Sequence, residues 1–154
     1  MPESVWDFPR PPRLEAATRR VRVRFAGVTL ADSTRALRVL ETSQAPAYYV
    51  PVADVAGEHL VAARPRSWCE WKGRASYLDV VVGGRRSGAA AWTYPEPVEA
   101  YAALRDHVAF YAQRVDECFL DDERVAPNAG DFYGGWINSE VTGPFKGGPG
   151  TRGW

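Results

Sequence analysis

The sequence has little of what would tie a chain to a well-marked chemical class. Its cysteines are Cys69 and Cys118 alone, too few and too far apart for a disulfide framework, so both are expected to be free thiols in a reducing compartment. Its histidines are His59 and His107. None of these four residues sits in a Cys-x-x-Cys or His-x-x-x-His pair, so no metal and no cofactor is expected. No stretch approaches the ~20 apolar residues of a membrane span. The opening Met1-Pro2-Glu3-Ser4-Val5-Trp6-Asp7 lacks the basic segment and apolar run of a secretory signal. A soluble, cytoplasmic protein with no membrane partner is expected. The 19 basic and 19 acidic residues cancel, which argues against a nucleic-acid partner, since a polyanion binder needs a basic face to release counterions.

Two familiar motifs are missing as well. There is no Gly-x-Ser-x-Gly. Gly143 to Thr151 has the residue types of a phosphate-binding loop but not the order, with no Gly-Lys-Ser/Thr and no strand feeding a helix. Lysine is reduced to Lys72 and Lys146, every other fixed cation being arginine, and isoleucine and asparagine are scarce. That bias is the compositional mark of a GC-rich genome. A lysine retained against it is expected where a compact point charge serves and a planar fork does not.

What is present is a β pattern. At 154 residues the chain fits one domain. Residues 1–19, with prolines at 9, 11 and 12, read as an extended arm. Arg20 to Phe25 alternates polar and apolar, and a turn at Gly27 leads into Val28-Thr29-Leu30-Ala31. Ala36 to Glu41 reads as a third strand, and Ala47 to Val50, held between Pro46 and Pro51, as an edge strand. Pro51 to Val55 fits one helical turn, and His59 to Ala63 a short strand. Trp71 to Val82 and Ala89 to Tyr94 read as a hairpin turned at Gly83-Gly84. Val98 to Asp106 is the one helix predicted, with Glu99 in its first turn. Val108 to Tyr111 fits helix or strand, and Glu117 to Val125 a hairpin around Asp121-Asp122. The fold expected is mainly β, a small β-tent or open-barrel-like arrangement of two antiparallel sheets with one short helix. The β-rich domain spans 20–126. Residues 127–154, rich in Gly, Pro and aromatics, are expected to pack on it through Trp136, Phe145 and Trp154.

The chemically densest stretch is Ser67-Trp68-Cys69-Glu70-Trp71-Lys72-Gly73. A cysteine beside a cation at a tight turn can act as a thiolate nucleophile. On a regular strand, however, residues 69 and 72 point to opposite faces, so the pairing requires a turn at Glu70-Trp71. A buried structural thiol with a solvated lysine accounts for the same residues. A second constellation is polar and aromatic. Arg35 and Glu41 flank a strand with the same parity, and Tyr49, Trp92 and Tyr94 fall at strand ends or edges. With Cys69 and Lys72 these residues would line a pocket for a small polar or planar ligand. The alternative is that Arg35 and Glu41 pair with each other and the aromatics are core.

These segments together resemble the bacterial domain-of-unknown-function 427 family. The resemblance rests on Arg35 to Ser43, Pro46, Tyr49-Val50-Pro51, Asp54-Val55, Cys69-Glu70-Trp71-Lys72-Gly73 with Ala75 and Tyr77, Trp92-Thr93-Tyr94-Pro95 and Ala109-Phe110-Tyr111. Phe132 to Trp136 and Gly143 to Thr151 resemble the Gly/Trp-rich C-terminal extension of its longer members. The resemblance implies a β-tent similar in outline to methionine-R-sulfoxide reductases and to the thalidomide-binding domain of cereblon, in a metal-free version because the four zinc cysteines are lacking. The family is sometimes labelled nucleotidyltransferase-like, but no Asp-x-Asp pair beside a Gly-Ser loop is present to hold magnesium and a triphosphate. Where the family pattern has His-Pro after Ser43, this chain has Gln44-Ala45, so if that His serves the family as a general base this chain lacks it. The leading expectation is a small-ligand-binding domain. Its rivals are an enzyme using Cys69 as nucleophile or redox centre and a protein-interaction module; the oligomeric state is left open.

Overall fold

The computed structural model describes residues 2–69, 73–128 and 134–146, without the side chains of 64–69, 73 and 74. Along the chain, β1 (Glu3–Ser4), β2 (Arg13–Ala16), β3 (Val21–Phe25), β4 (Val28–Ser33), β5 (Leu37–Leu40) and β6 (Ala47–Pro51) come first. They are followed by β7 (Leu60–Cys69), β8 (Gly73–Val82), β9 (Arg85–Thr93), β10 (His107–Phe110), β11 (Glu117–Leu120) and β12 (Glu123–Arg124). The short pieces β13 (Ala126–Pro127), β14 (Trp136–Ile137) and β15 (Val141–Thr142) close the list. A seven-stranded sheet runs β2-β5-β6-β10-β9-β8-β7, a four-stranded sheet runs β12-β11-β3-β4, and β1–β15 and β13–β14 form two small pairs. The fold is mainly β with antiparallel main sheets and no closed barrel.

Turn chemistry sets the local hairpins. Phe25 pairs with Val28 across Ala26 and Gly27, both at positive φ (50° and 78°), the two-residue geometry that matches strand twist. Val82 pairs with Arg85 across Gly83-Gly84, and Asp121 takes φ 53° between β11 and β12.

Alternation on each strand builds the core. Val21, Val23 and Phe25 of β3, Leu30 and Ala31 of β4, and Cys118 and Leu120 of β11 meet Tyr48, Val50, Val108, Phe110, Ala91 and Val80 of the large sheet. Trp136 closes this inter-sheet layer. It is 1% exposed, stacks on Tyr48 with ring centroids 5.4 Å apart, and donates from Nε1 to the Phe110 carbonyl at 2.9 Å.

Two sequence expectations are corrected. Ala47–Pro51 is not an edge strand: β6 lies between β5 and β10. Pro51 pairs with His107 at the strand's end and Pro46 precedes its start, so neither missing N–H interrupts the ladder. The helix expected from Val98 to Asp106 is a 3₁₀ segment, Glu99–Leu104, with Tyr101 off helical geometry. Its apolar residues Val98, Tyr101 and Leu104 recur every third position, the repeat that a 3₁₀ turn aligns on one side, and all three pack on the sheet. Val108–Tyr111, undecided by periodicity, is strand β10 over His107–Phe110.

Because Trp136 fills inter-sheet volume and satisfies a buried carbonyl, Trp136→Ala is expected to cost about 3–5 kcal/mol. Thermal unfolding followed by circular dichroism should show a fall in Tm on the order of 10 °C. A shift under about 2 °C would show that the extension does not support the core.

Candidate functional site

Alternation also sends side chains to the outer face of the seven-stranded sheet, and there the residues are aromatic. Leu37 pairs with Tyr49, Ala109 with Trp92, and Trp92 with Tyr77, setting a row across the sheet. Tyr49 and Trp92 meet edge to face, centroids 5.9 Å apart at 86°, and Trp92 Nε1 donates to the Tyr49 hydroxyl at 3.2 Å. Tyr94, just past the end of β9, lies 6.3 Å from Tyr49. Tyr111 lies 4.5 Å from Trp92 and carries the Arg114 guanidinium over its ring at 4.7 Å. The 3₁₀ segment covers part of the cluster, with the Tyr101 hydroxyl donating to the Pro12 carbonyl at 2.6 Å. Gly134 lies against the Trp92 ring so closely that a Cβ there would come within 2.1 Å of it. Tyr77 is the half-buried member at the periphery.

The loop from Glu41 to Pro46 joins β5 to β6 and ties both ends of the chain to the sheet. Ser43 N–H donates to the Val5 carbonyl (3.0 Å), Lys146 N–H to the Ser43 carbonyl (2.7 Å), and Trp136 N–H to the Pro46 carbonyl (2.8 Å). Ala45 N–H donates to the buried Asn128 Oδ1 at 3.0 Å, and a Cβ on Gly135 would fall 2.1 Å from the Ala45 carbonyl oxygen. Ser43 holds φ 69° and is fully buried. Its hydroxyl has no hydrogen-bond partner among the described residues, a polar orphan that native interiors rarely keep.

The structure thus brings together Tyr49, Trp92 and Tyr94 of the residues singled out in the sequence. It separates Arg35 from Glu41. Neither lies within β5; they flank its two ends. The shared-face argument fails for that reason, because alternation holds only inside a strand. Arg35 is engaged instead by Asp54, through Nε and Nη2 at 2.9 Å each, and Asp54 also accepts from the Ser33 hydroxyl at 2.7 Å. Glu41 is half-buried at the head of the loop, its carbonyl accepting from Gln44 N–H at 3.1 Å. In the hairpin of β7 and β8 the Cys69 backbone pairs with Gly73. The Cys69 side chain and Lys72 lie outside the described residues. Cys118 faces the inter-sheet core, where burial raises its thiol pKa far above the ordinary range. No group of three His, Cys, Asp or Glu suited to a metal occurs among the described residues.

Sequence reasoning missed a groove of about 470 Å³ at the start of β9. Arg85, Arg86, Ser87 and Gly88 form one wall, and Gln113 to Asp116 with Phe25 the other. Arg85 pairs with both oxygens of Asp116 at 2.9 and 3.0 Å and lies over the Phe25 ring at 4.4 Å. Arg86 is held by Asp79, whose other oxygen accepts from Ala89 N–H at 2.8 Å. Arg114 donates to the Ala89 carbonyl at 3.0 Å. The only sequence signal was the pair Arg85-Arg86, hidden inside what read as hairpin-turn chemistry.

The carboxylates in these pairs are held below their ordinary pKa. For Asp116 the main cause is Arg85, and for Asp79 the Ala89 N–H. For Asp54, Arg35 comes first and Ser33 second, taking it to about 2.

The model of a family described as a domain of unknown function (DUF427) matches residues 13–121, more than two-thirds of the chain. No curated protein matches it.

A folded-state pKa below the unfolded value means that the stabilisation is present above the unfolded pKa and is lost as pH falls through the folded one. For Asp54 that window runs from its ordinary 3.8 down to about 2. Asp54→Asn is therefore expected to lower the urea midpoint at neutral pH, with the difference from wild type shrinking across that window. Equal midpoints at neutral pH would show that the Arg35–Asp54 pair contributes nothing.

Proposed function

The chain belongs to the family of the domain of unknown function DUF427, and from that premise we propose that it is a small-ligand-binding domain whose site is the aromatic outer face of the seven-stranded sheet. One observation carries the reading. In a two-sheet β fold the face turned away from the partner sheet is ordinarily solvated and polar. Here that face gathers Tyr49, Trp92, Tyr94 and Tyr111, which are buried (2–6% exposed), with the half-buried Tyr77 beside them, an aromatic layer that a ligand would reach from the Tyr77 side. Such a surface suits a planar or apolar group, with hydroxyls fixing orientation. The β7–β8 hairpin, whose β8 contributes Ala75 and Tyr77 to the cluster, carries Cys69 at the end of β7, and Lys72 follows three positions later in the sequence. In this reading Lys72 holds an anionic group of the ligand and Glu41 a polar one. Arg35, which precedes β5 and pairs with Asp54, is not among the residues this reading uses. Binding needs neither a metal nor a cofactor, and the proposed setting is the cytoplasm.

The test is thermal unfolding against nucleotides, amino acids and sugars. A ligand at 100 times its Kd stabilises the folded state by about 2.7 kcal/mol, a rise in Tm of roughly 5–10 °C for a chain of this length. The shift is expected to shrink in Tyr94→Phe and in Lys72→Gln. A panel with no stabilising compound, or a shift unchanged in both variants, overturns the reading.

A second reading, a Cys69 nucleophile, draws on the pairing of Cys69 with Gly73, which puts the thiol-bearing position at the end of a hairpin strand. Native-state alkylation reads Cys69 alone, because Cys118 is buried. Under the binding proposal the pH profile of alkylation should have a midpoint near ~8.5 or above. A midpoint well below that, absent in Cys69→Ser, would transfer the function to the thiol.

A further inference from the structure

We propose that the groove at the start of β9 is a second binding site, one that takes the phosphoryl group of a small phosphomonoester. Three guanidinium-bearing residues, Arg85, Arg86 and Arg114, line it with the carboxylate Asp116, and Asp79 pairs with Arg86, so three cations face two carboxylates. In a chain of zero net charge this is a local excess of positive charge.

The ion pairs do not exhaust the arginines; they orient them. A guanidinium carries five N–H donors in a fixed fork. Arg85 uses one hydrogen on each Nη for Asp116. Arg86 directs Nε and Nη2 to one oxygen of Asp79. Each arrangement leaves donors on the other edge of a group whose rotamer is already fixed. That lowers the ordering cost of binding an anion. A phosphoryl group has three terminal oxygens and accepts from several directions, whereas a carboxylate is matched by a single fork. Arginines approaching from two chain segments fit the former. Charge-assisted bonds of this kind correspond to about tenfold or more in affinity each.

One further feature fits. The groove holds about 470 Å³, within the range of small-molecule sites, and the buried Phe25 ring beneath Arg85 helps to fix that guanidinium in place. Gln113 also lines the groove, and neither the oxygen nor the nitrogen of its buried side-chain amide has a hydrogen-bond partner among the described residues. Both atoms are closed to solvent, so the arginine donors, and not this amide, are the contacts the groove offers. The site is distinct from the aromatic face, though Arg114 touches both through its contact with Tyr111.

The experiment is a two-dimensional amide NMR titration at constant ionic strength with inorganic phosphate, phenyl phosphate and acetate as separate probes. Phosphate is expected to give saturable shifts centred on Ser87, Gly88, Gln113 and Arg114. Phenyl phosphate, a monoester, should saturate with shifts at the same residues, and acetate should not saturate. Arg86→Gln and Arg85→Gln should each weaken phosphate binding by about tenfold. Arg20→Gln, at an arginine paired with Asp32 on β4, should leave it unchanged. Shifts that do not saturate, that spread along the surface, or that saturate equally with acetate overturn the proposal. So does wild-type affinity in both Arg86→Gln and Arg85→Gln.

Discussion

The alternation of one interior strand, β6, governs the layout of this protein. Tyr48 and Val50 enter the core between the sheets, and Tyr49 between them is sent to the opposite face. A strand's side-chain period of two permits no other outcome once Tyr48 is inside. Because β6 is bounded on both sides by other strands, the alternation propagates through hydrogen-bonded register. The inward set becomes the inter-sheet core and the outward set becomes the Tyr49–Trp92–Tyr94 cluster. A one-residue slip would put Tyr49 against Trp136 and expose the core to the outer face.

The segments flanking the matched region serve that same strand. Glu3–Ser4 pairs with Val141–Thr142 in parallel, and Val5, Phe8, Leu40 and Val141 form a small apolar cluster of their own. Both segments converge on the Glu41–Pro46 loop that delivers the chain into β6. Ser43 is bonded to Val5 on one side and Lys146 on the other. The loop accepts a left-handed Ser43 and a buried hydroxyl that has no partner among the described residues. Such local costs persist only where surrounding contacts over-determine the conformation. The bare backbones of Gly134 and Gly135 let the extension approach within a distance that any side chain would forbid.

Electrostatics here is a matter of pairing rather than of net charge. Arginine supplies nearly all the cations, and most of those described are matched bidentately or closely to a carboxylate, as in Arg20–Asp32, Arg35–Asp54 and Arg85–Asp116. Exposed pairs of this kind contribute little stability each. Their effect is geometric, fixing where guanidinium forks point, and that is why a neutral chain can still carry a groove lined by three of them.

The sequence by itself determined the β class, most strand positions, the family and the anchoring role of Trp136, because each rests on short-range information: alternation, turn residues, motif order and the size of an indole. It also picked out Tyr49, Trp92 and Tyr94 as a group. It misplaced β6 at an edge because proline's missing N–H was weighed without knowing that both prolines fall at strand ends. It gave Val98 to Asp106 as a helix without fixing its type, although the three-residue repeat of Val98, Tyr101 and Leu104 was already visible. Pairing was decided only in three dimensions. Asp54 rather than Glu41 meets Arg35, and Arg85 and Arg114, 29 positions apart in the sequence, line one groove. Those outcomes depend on which strands become neighbours, and that is settled by burying the two faces of the large sheet together, a sum over the whole chain that no local pattern contains.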